Sequence, residues 1–249
     1  IMANSILRSL PNVNPKNIGI IGFSWGSVVA LDAMGADSRF RTGVMINGSG
    51  FLGQNSSIFI KKFQTMATDK VMKWLLNWDP AMYIGKTRSL LMFCNPLGST
   101  WYPFSSWRQT WRTFRGPKVL CDRVPTPPTA SYPELDKMPE VPIFLAMHLK
   151  GGPQLLKINK RGVNRFGYFW TLYESGAPLR KVTLCYTTDR SGPLPGRKWQ
   201  RKTATIKRKY VTTLLPPGTT AFYYDFYDDR GCVMSGQMQL VKFSGKKKQ

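Results

Sequence analysis

The sequence feature that most constrains the fold is an apolar run that stops at a G-x-S-x-G motif. Residues 18–26 read IGIIGFSWG, with Ser24 at the centre of the motif. This pattern predicts a strand that turns sharply into a helix, because the two glycines let strand and helix backbones approach closely. Such a turn presents the serine hydroxyl at the end of the strand. Whether Ser24 acts as a nucleophile then depends on a base and an acid elsewhere in the chain.

The pattern of elements changes once along the chain. Strand-like and helix-like segments alternate at first, which predicts an α/β layer with a mainly parallel sheet. Here we predict helices at 2–10, 26–35, 57–76, 104–113 and 140–149, and strands at 17–22, 42–47, 88–94 and 117–124. Short β-runs with turn residues between them follow, which predicts an antiparallel sandwich. These runs are 165–173, 180–187, 203–213, 220–227 and 231–242.

The charge of the chain is strongly positive. Among its 249 residues, 36 are Lys or Arg and 13 are Asp or Glu, a net charge of +23. This excess favours contact with nucleic acid, anionic lipid or acidic polysaccharide, and it does not bear on the fold. No apolar stretch reaches the roughly 18 residues that a membrane-spanning helix needs, so we predict no transmembrane segment.

The four cysteines show no metal-binding pattern. They are Cys94, Cys121, Cys185 and Cys232. No CxxC pair or Cys/His spacing joins them, so we expect no zinc site. Each lies in an apolar, strand-like stretch, which favours buried free thiols. A disulfide between Cys185 and Cys232 stays open for an exported chain, and the sequence does not indicate the compartment.

Further short motifs accompany the elbow GFSWG in a fixed order. They are DPAMY at 79–83, YP at 102–103, GPK at 116–118, KGG at 150–152, YTTD at 186–189 and DDRG at 228–231. This series resembles the α/β-hydrolase superfamily, in particular the bacterial acetyl-xylan-esterase-like and prolyl-oligopeptidase-like serine hydrolases. It touches nearly the whole chain and is therefore more specific than a lone G-x-S-x-G motif.

The resemblance implies a fold and two domains. Residues 1–153 would form a partial α/β-hydrolase domain, the C-terminal half of a mainly parallel sheet flanked by helices. Residues 154–249 would form an all-β immunoglobulin-like sandwich with a basic tail. The chain begins at Ile1, and residues 2–10 look like the end of a helix already under way. We therefore expect an N-terminally truncated chain, with the early strands and one oxyanion donor lying upstream.

The resemblance also implies roles for individual positions. In this family a serine attacks an ester or amide carbonyl, a histidine takes its proton, and an acid orients the histidine. Ser24 matches the nucleophile, and the backbone N–H of Trp25 matches one oxyanion donor. The acid position, counted back from the Tyr-Pro motif, is occupied by Ser99, and the base position by Pro128. No cofactor or metal is implied.

Two other side chains are candidates to replace the absent catalytic histidine and acid. His148 is the single histidine of the chain, in the segment predicted as the helix 140–149. We favour a partly exposed helix residue over a displaced general base, because it lies some twenty positions too late. Asp122, in the predicted strand 117–124, is an equally weak substitute for the acid.

Three functions follow from these observations. The first is a serine hydrolase relative, acting by resemblance on acylated small molecules or polysaccharide, with activity lost or strongly impaired. The second is a non-catalytic module that binds polyanions or polysaccharide through a basic cluster of the sandwich, namely Arg197, Lys198, Trp199, Arg201 and Lys202. In that cluster Trp199 either stacks on a ligand or packs on the sandwich, and we favour packing. The third is a decayed gene product under no functional constraint.

Overall fold

Two kinds of β-sheet follow one another along the chain. The computed structural model describes residues 1–54, 58–95, 99, 101–121, 138–192 and 194–241. Parallel strands with helices occupy the first part, and antiparallel sheets occupy the second. The predicted change from α/β to all-β architecture is therefore confirmed.

The first part is built on a four-stranded parallel sheet. Its strands are β1 (Gly19–Phe23), β2 (Thr42–Ile46), β3 (Leu90–Cys94) and β4 (Lys118–Leu120). They lie side by side in chain order, and Gly19 pairs with Thr42, which in turn pairs with Leu90. Because all four strands run the same way, their carboxyl ends meet at one edge of the sheet, where α/β proteins bind ligands.

Helices cover both faces of this sheet, because alternate strand residues point to opposite sides. The helices are α1 (Met2–Ser9), α2 (Trp25–Ala36), α3 (Ile58–Phe63), α4 (Thr68–Trp78), α5 (Phe104–Thr113) and α6 (Glu140–Lys150). Leu31 of α2 and Trp107 of α5 share a buried cluster with Phe93 of β3. Phe144 of α6 shares another with Met92, the neighbouring residue of the same strand.

The second part consists of two antiparallel sheets. Its strands are β5 (Lys157–Val163), β6 (Tyr168–Glu174), β7 (Leu179–Thr187), β8 (Gln200–Thr203), β9 (Thr205–Ile206), β10 (Tyr210–Leu214), β11 (Ala221–Asp228), β12 (Val233–Ser235) and β13 (Gln239–Leu240). One sheet has the order β5-β6-β10-β9, and the other has the order β12-β11-β7-β8, with β13 also paired to β11. The identification of this part as immunoglobulin-like stays a prediction.

One hydrophobic cluster joins the two parts. Phe144 of α6 and Phe226 of β11 belong to the same buried set. The Cys121 thiol, directly after β4, donates a hydrogen bond to the carbonyl oxygen of Val233 at 3.0 Å. The core is therefore shared across the domain boundary expected between residues 153 and 154, and that boundary stays a prediction.

The structure differs from the predicted elements in several places; the run 231–242, for example, contains two separate strands, β12 and β13. The segment 57–76, predicted as one helix, contains α3 and α4 with a break between them. The run 203–213 is divided among β8, β9 and β10. Strand β5 was not predicted, because its sequence KINKRGV carries too many charges for a strand pattern. It lies at the edge of its sheet with most side chains in contact with solvent, where such residues are tolerated.

Two residues fix the ends of helical segments. Gly151 ends α6 with a φ of 72°, the left-handed conformation that favours glycine after a helix. The Asp79 carboxylate accepts a hydrogen bond from the backbone N–H of Ala81 at 2.9 Å and caps the 3-10 turn Pro80–Met82.

Within the described ranges, no helix combines the length and the apolar character needed to cross a bilayer. In the same ranges, no three His, Cys, Asp or Glu side chains come together as a candidate metal site.

Candidate active site

Ser24 lies on the sharp turn that the motif predicts. Strand β1 ends at Phe23 and helix α2 begins at Trp25, so Ser24 is the single residue between them. Its backbone has a φ of 52° and a ψ of −119°, which a residue with a Cβ rarely adopts. The Ser24 N–H donates to the carbonyl oxygen of Ile46 at 2.8 Å, which anchors the turn to β2. This anchoring offsets the backbone strain and holds the side chain at the carboxyl edge of the sheet.

A second serine, Ser27, stabilises the turn through buried hydrogen bonds. The fully buried Ser27 hydroxyl lies 2.7 Å from the carbonyl oxygen of Gly22 and accepts a hydrogen bond from the Ile46 N–H at 2.9 Å. A Cβ on Gly48 would lie only 2.4 Å from the Ser27 Cβ, so glycine is required there. Ser27 therefore connects β1, α2 and the segment after β2 around the elbow.

The Ser24 side chain is hydrogen-bonded to Tyr102. Tyr102 is 2% exposed and follows β3 in the chain. Burial raises the pKa of the Tyr102 phenol to about 12, and the hydrogen bond with Ser24 lowers it only in part. At neutral pH the phenol is therefore protonated and does not act as a base. The contact of Tyr102 with Ser24 was not predicted. The Tyr-Pro motif at 102–103 served only to locate the acid position.

Ser99, at the position predicted for the catalytic acid, cannot act as that acid. Ser99 is buried, and its hydroxyl oxygen accepts a hydrogen bond from the Tyr102 N–H at 3.2 Å. A serine hydroxyl cannot supply the negative charge that orients and stabilises a catalytic imidazolium. Ser99 instead fixes the backbone that carries Tyr102. Pro128 and Asp122 lie outside the described residues.

His148 lies at the opposite end of the sheet from Ser24. The carbonyl oxygen of its neighbour Leu149 accepts a hydrogen bond from the Asn17 side chain at 2.7 Å, beside the start of β1. Ser24 follows the other end of this strand, and five residues at about 3.3 Å each separate the two ends by roughly 16 Å. The hypothesis of a displaced general base is therefore wrong, and the favoured prediction of a partly exposed helix residue agrees with the structure.

An aromatic wall stands beside Ser24, formed by Trp25, Phe59, Trp74 and Tyr102. The Trp25 ring centroid lies 5.7 Å from that of Phe59 and 6.4 Å from that of Trp74. The Phe59 and Tyr102 centroids are 6.0 Å apart. Trp25 is 46% exposed, so part of the wall faces solvent next to the elbow. Aromatic side chains that meet solvent beside a site can hold apolar groups or the faces of sugar rings.

The expected oxyanion donor has the right local setting. Trp25 is the first residue of α2. Backbone N–H groups in the first turn of a helix have no intrahelical acceptor, and the helix dipole favours negative charge there. A carbonyl oxygen placed over Ser24 would meet this N–H. The assignment of the Trp25 N–H as an oxyanion donor stays a prediction, and proton removal from Ser24 needs a base.

Two carboxylates, Asp32 and Asp79, interact electrostatically with each other. Asp79 is buried and accepts hydrogen bonds from the N–H groups of Phe51 at 2.8 Å and Leu52 at 2.7 Å, besides that of Ala81. Burial, and then the negative charge of Asp79, raise the pKa of the Asp32 carboxyl on α2 to about 7. Asp79 has a structural role, because its oxygens are used to fix the loop after β2.

The basic cluster of the sandwich lies around β8. The Trp199 ring is half-buried and packs edge-on against Tyr223, with centroids 5.8 Å apart. Its indole N–H donates to the Leu194 carbonyl oxygen at 3.2 Å. Trp199 therefore packs on the sandwich, as favoured, and its ring is not fully open to a ligand. The cations differ in exposure: Arg197 is half-buried, whereas Lys198, Arg201 and Lys202 are exposed.

All four cysteines are buried free thiols. The favoured prediction is confirmed, and the open alternative of a bridge between Cys185 and Cys232 is wrong. Burial, followed by the nearby Asp228, raises the pKa of the Cys232 thiol to about 12. At neutral pH it stays protonated and is a poor nucleophile.

Comparison with known proteins shows likeness at the level of the fold. No protein-family model and no curated protein matches the chain. Among solved structures, the acetyl xylan esterase of Paenibacillus sp. R4 matches with a TM-score of 0.51 and 18% identity, over 59% of this chain and 50% of that one. At this identity the likeness shows the fold alone. The described chain has, in part, an α/β-hydrolase fold.

Other similar structures are a second acetyl xylan esterase and an acylaminoacyl peptidase. Acetyl xylan esterase 1 of Thermoanaerobacterium sp. JW/SL YS485 matches with a TM-score of 0.48 and 15% identity, over 59% of this chain and 50% of that one. The acylaminoacyl peptidase of Pyrococcus horikoshii matches with a TM-score of 0.42 and 19% identity, over 49% of this chain and 22% of that one. The chain thus spans about half the length of the two esterases.

Proposed function

We propose that this chain is a serine hydrolase relative that keeps the nucleophile position but does not itself supply a base, so that it hydrolyses acyl esters very slowly or not at all. The observation that carries the proposal is the separation of Ser24 from the one histidine of the chain, at opposite ends of β1. The hydrogen bond from Ser24 to a protonated Tyr102 supports it further.

The expected loss of rate is large. In a serine triad, removal of the histidine lowers turnover on the order of a millionfold, and the remainder comes from the oxyanion hole and substrate binding. Here the elbow N–H and the aromatic wall can contribute only that remainder. Binding of an acyl ester, or of an acylated sugar, is then the activity that the site retains.

A small chromogenic ester such as p-nitrophenyl acetate tests the proposal. We expect the wild-type protein and Ser24→Ala to hydrolyse it at rates that agree within about twofold. We also expect a fluorophosphonate probe, followed by mass spectrometry, to leave Ser24 unmodified. A rate at least tenfold lower for Ser24→Ala, together with labelling of Ser24, would show that the serine is activated and would refute the proposal.

A second function rests on the exposed cations of the sandwich. Lys198, Arg201 and Lys202 lie on or next to β8, whose four residues are all exposed at the edge of its sheet. We infer that this edge contacts polyanions by charge. Trp199 contributes packing to the sandwich there and does not serve as the main stacking platform.

Salt dependence tests this second function. Heparin binding should weaken steeply as salt rises, because counterions are released on binding. The double variant Lys198→Gln/Lys202→Gln should bind more weakly than Lys61→Gln/Lys62→Gln, which removes the same charge from α3. Equal weakening by both variants, or binding that salt does not affect, would contradict the assignment to β8.

A further inference from the structure

A strongly basic cavity lies at the amino-terminal edge of the parallel sheet, away from Ser24. Its volume is about 640 Å³. The chemistry-bearing side chains that line it are Arg8, Lys16, Arg39, Arg41, Arg88 and His148. The cavity is open to solvent, since Lys16, Arg41 and Arg88 are exposed. None of these residues has a role in the proposed hydrolase site or in the polyanion contact at β8.

Little negative charge offsets these cations. Arg39 forms a bidentate ion pair with Asp37, with its Nε and Nη2 each 2.8 Å from a carboxylate oxygen. Across the described parts of the chain, no carboxylate forms an ion pair with Lys16 or Arg41. Arg88 uses one nitrogen on the carbonyl oxygens of Gly85 and Thr87. Each guanidinium carries five N–H donors, so donors remain for a ligand.

His148 is one of the lining residues, although its Nε2 atom is itself shielded from solvent. The Nε2 atom of His148 is buried and has no hydrogen-bond partner. Its ring is held edge-on against Phe144, with centroids 4.8 Å apart, so its orientation is set by packing. Buried polar atoms are nearly always paired, by protein, water or a ligand.

We propose that this cavity binds the phosphate group of a small phosphorylated molecule. Arginine forks match the oxygens of phosphate in geometry and charge, and a lysine adds a point charge. The cations come from α1, the segment before β1, the segment before β2 and the segment before β3, so four separate segments bring positive charge to one opening. Charges that converge on one point fit a compact dianion better than an extended polyanion.

His148 reports directly on occupancy. Burial, and then the positive charge of Arg41, lower the pKa of its imidazole. The groups that face it are cationic: Arg8 and Lys16 from the amino-terminal segment, Arg39 and Arg41 before β2, and Arg88 before β3, with Asp37 paired to Arg39. A bound dianion would offset this positive field and favour the imidazolium. The His148 pKa should therefore rise when the cavity is filled.

The experiment is a titration of the whole chain with inorganic pyrophosphate at low salt, followed through the His148 ring protons by NMR. The chain has one histidine, so its signals are assigned without ambiguity. We expect saturable shifts, a rise in the His148 pKa, and at least tenfold weaker binding for Lys16→Gln/Arg41→Gln. Glucose 6-phosphate and glucose then distinguish a phosphate ester from its sugar.

Lys207→Gln/Arg208→Gln is the matched control, because it removes the same charge from exposed positions near β9. It should bind pyrophosphate within twofold of the wild-type protein. Equal weakening by both double variants, or pyrophosphate binding without a change at His148, would overturn the proposal. So would heparin binding that depends on Lys16 and Arg41 when pyrophosphate does not bind, because the ligand would then be a macromolecule.

Discussion

Gly22 and Gly26, the first and last glycines of the elbow motif, differ in the space around their Cα atoms: Gly22 is tightly packed and Gly26 is not. A Cβ on Gly22 would lie 2.4 Å from the carbonyl oxygen of Gly26 and 2.5 Å from the Cα of Ser27, whereas a Cβ on Gly26 would meet no atom within 4 Å. The motif therefore contains one glycine that the packing of strand and helix requires and one that it does not.

Gly22→Ala should unfold the protein more easily, because the new methyl group meets backbone atoms that cannot move aside. We expect a loss of about 3 kcal/mol in the free energy of unfolding, measured in urea. Gly26→Ala is the matched control inside α2, and it should be neutral or stabilising by up to about 1 kcal/mol. Similar losses for the two variants would contradict the close approach at Gly22.

Asp79→Ala should destabilise the loop after β2. It removes a buried carboxylate that accepts backbone hydrogen bonds from Phe51, Leu52 and Ala81. We expect a loss of about 3 kcal/mol, because these bonds end on a charged group and their donors are left unpaired. Asp69→Ala, at an exposed position of α4, should change stability by less than about 0.5 kcal/mol.

The Asp32 carboxyl should make stability depend on pH. Its pKa in the folded protein is raised from 3.8 to about 7. Between these values the folded state binds more protons than the unfolded state, so stability falls as the pH rises from about 4 to about 7. Because Asp32 is only partly buried, solvent screening reduces the effect, and we expect about 1 kcal/mol.

Asp32→Asn should remove this dependence. Urea unfolding at pH 5 and pH 8 is the measurement, and the variant should gain stability over the wild-type protein at pH 8 but not at pH 5. Asp69→Asn serves as the control and should show the wild-type dependence. A wild-type protein that becomes more stable between pH 5 and pH 8, with Asp32→Asn following the same curve, would contradict the prediction.

Tyr102→Phe should separate the structural role of the phenol from a catalytic one. Loss of its hydrogen bond to Ser24 should cost about 1 kcal/mol of unfolding free energy. Ester hydrolysis should stay unchanged, since the protonated phenol is not the base. Tyr83→Phe loses a bond to the exposed Asn77 carbonyl oxygen and should cost less than about 0.5 kcal/mol. A tenfold fall in ester turnover for Tyr102→Phe alone would assign a catalytic role to the phenol.

The elbow and the order of elements in the parallel part were predictable, because their signals are local. A strand run, a G-x-S-x-G motif and a glycine after a helix each lie within a few residues. The contact between Ser24 and Tyr102 was not predictable, because it depends on how the segment after β3 returns to the sheet edge. Strand β5 also escaped prediction, since pairing with β6 at a sheet edge stabilises a sequence that has no strand pattern of its own.

The basic cavity was also not predictable from local sequence patterns. Its cations come from segments spread between Arg8 and Arg88, and each looks like an ordinary surface residue in the sequence. Only the parallel arrangement of β1, β2 and β3 places the segments before them at one edge of the sheet. Similarly, the direction of α6 across the sheet decides that His148 faces this cavity and not Ser24.

The hydrophobic cluster shared by α6 and β11 sets the cooperative unit of the protein. Because Phe144 and Phe226 lose their contacts together, melting of either part exposes apolar surface on the other. Heat or urea should therefore produce a single transition, although the chain changes architecture near residue 154. A cut at this junction would leave each piece with apolar surface that the other piece covers in the intact protein.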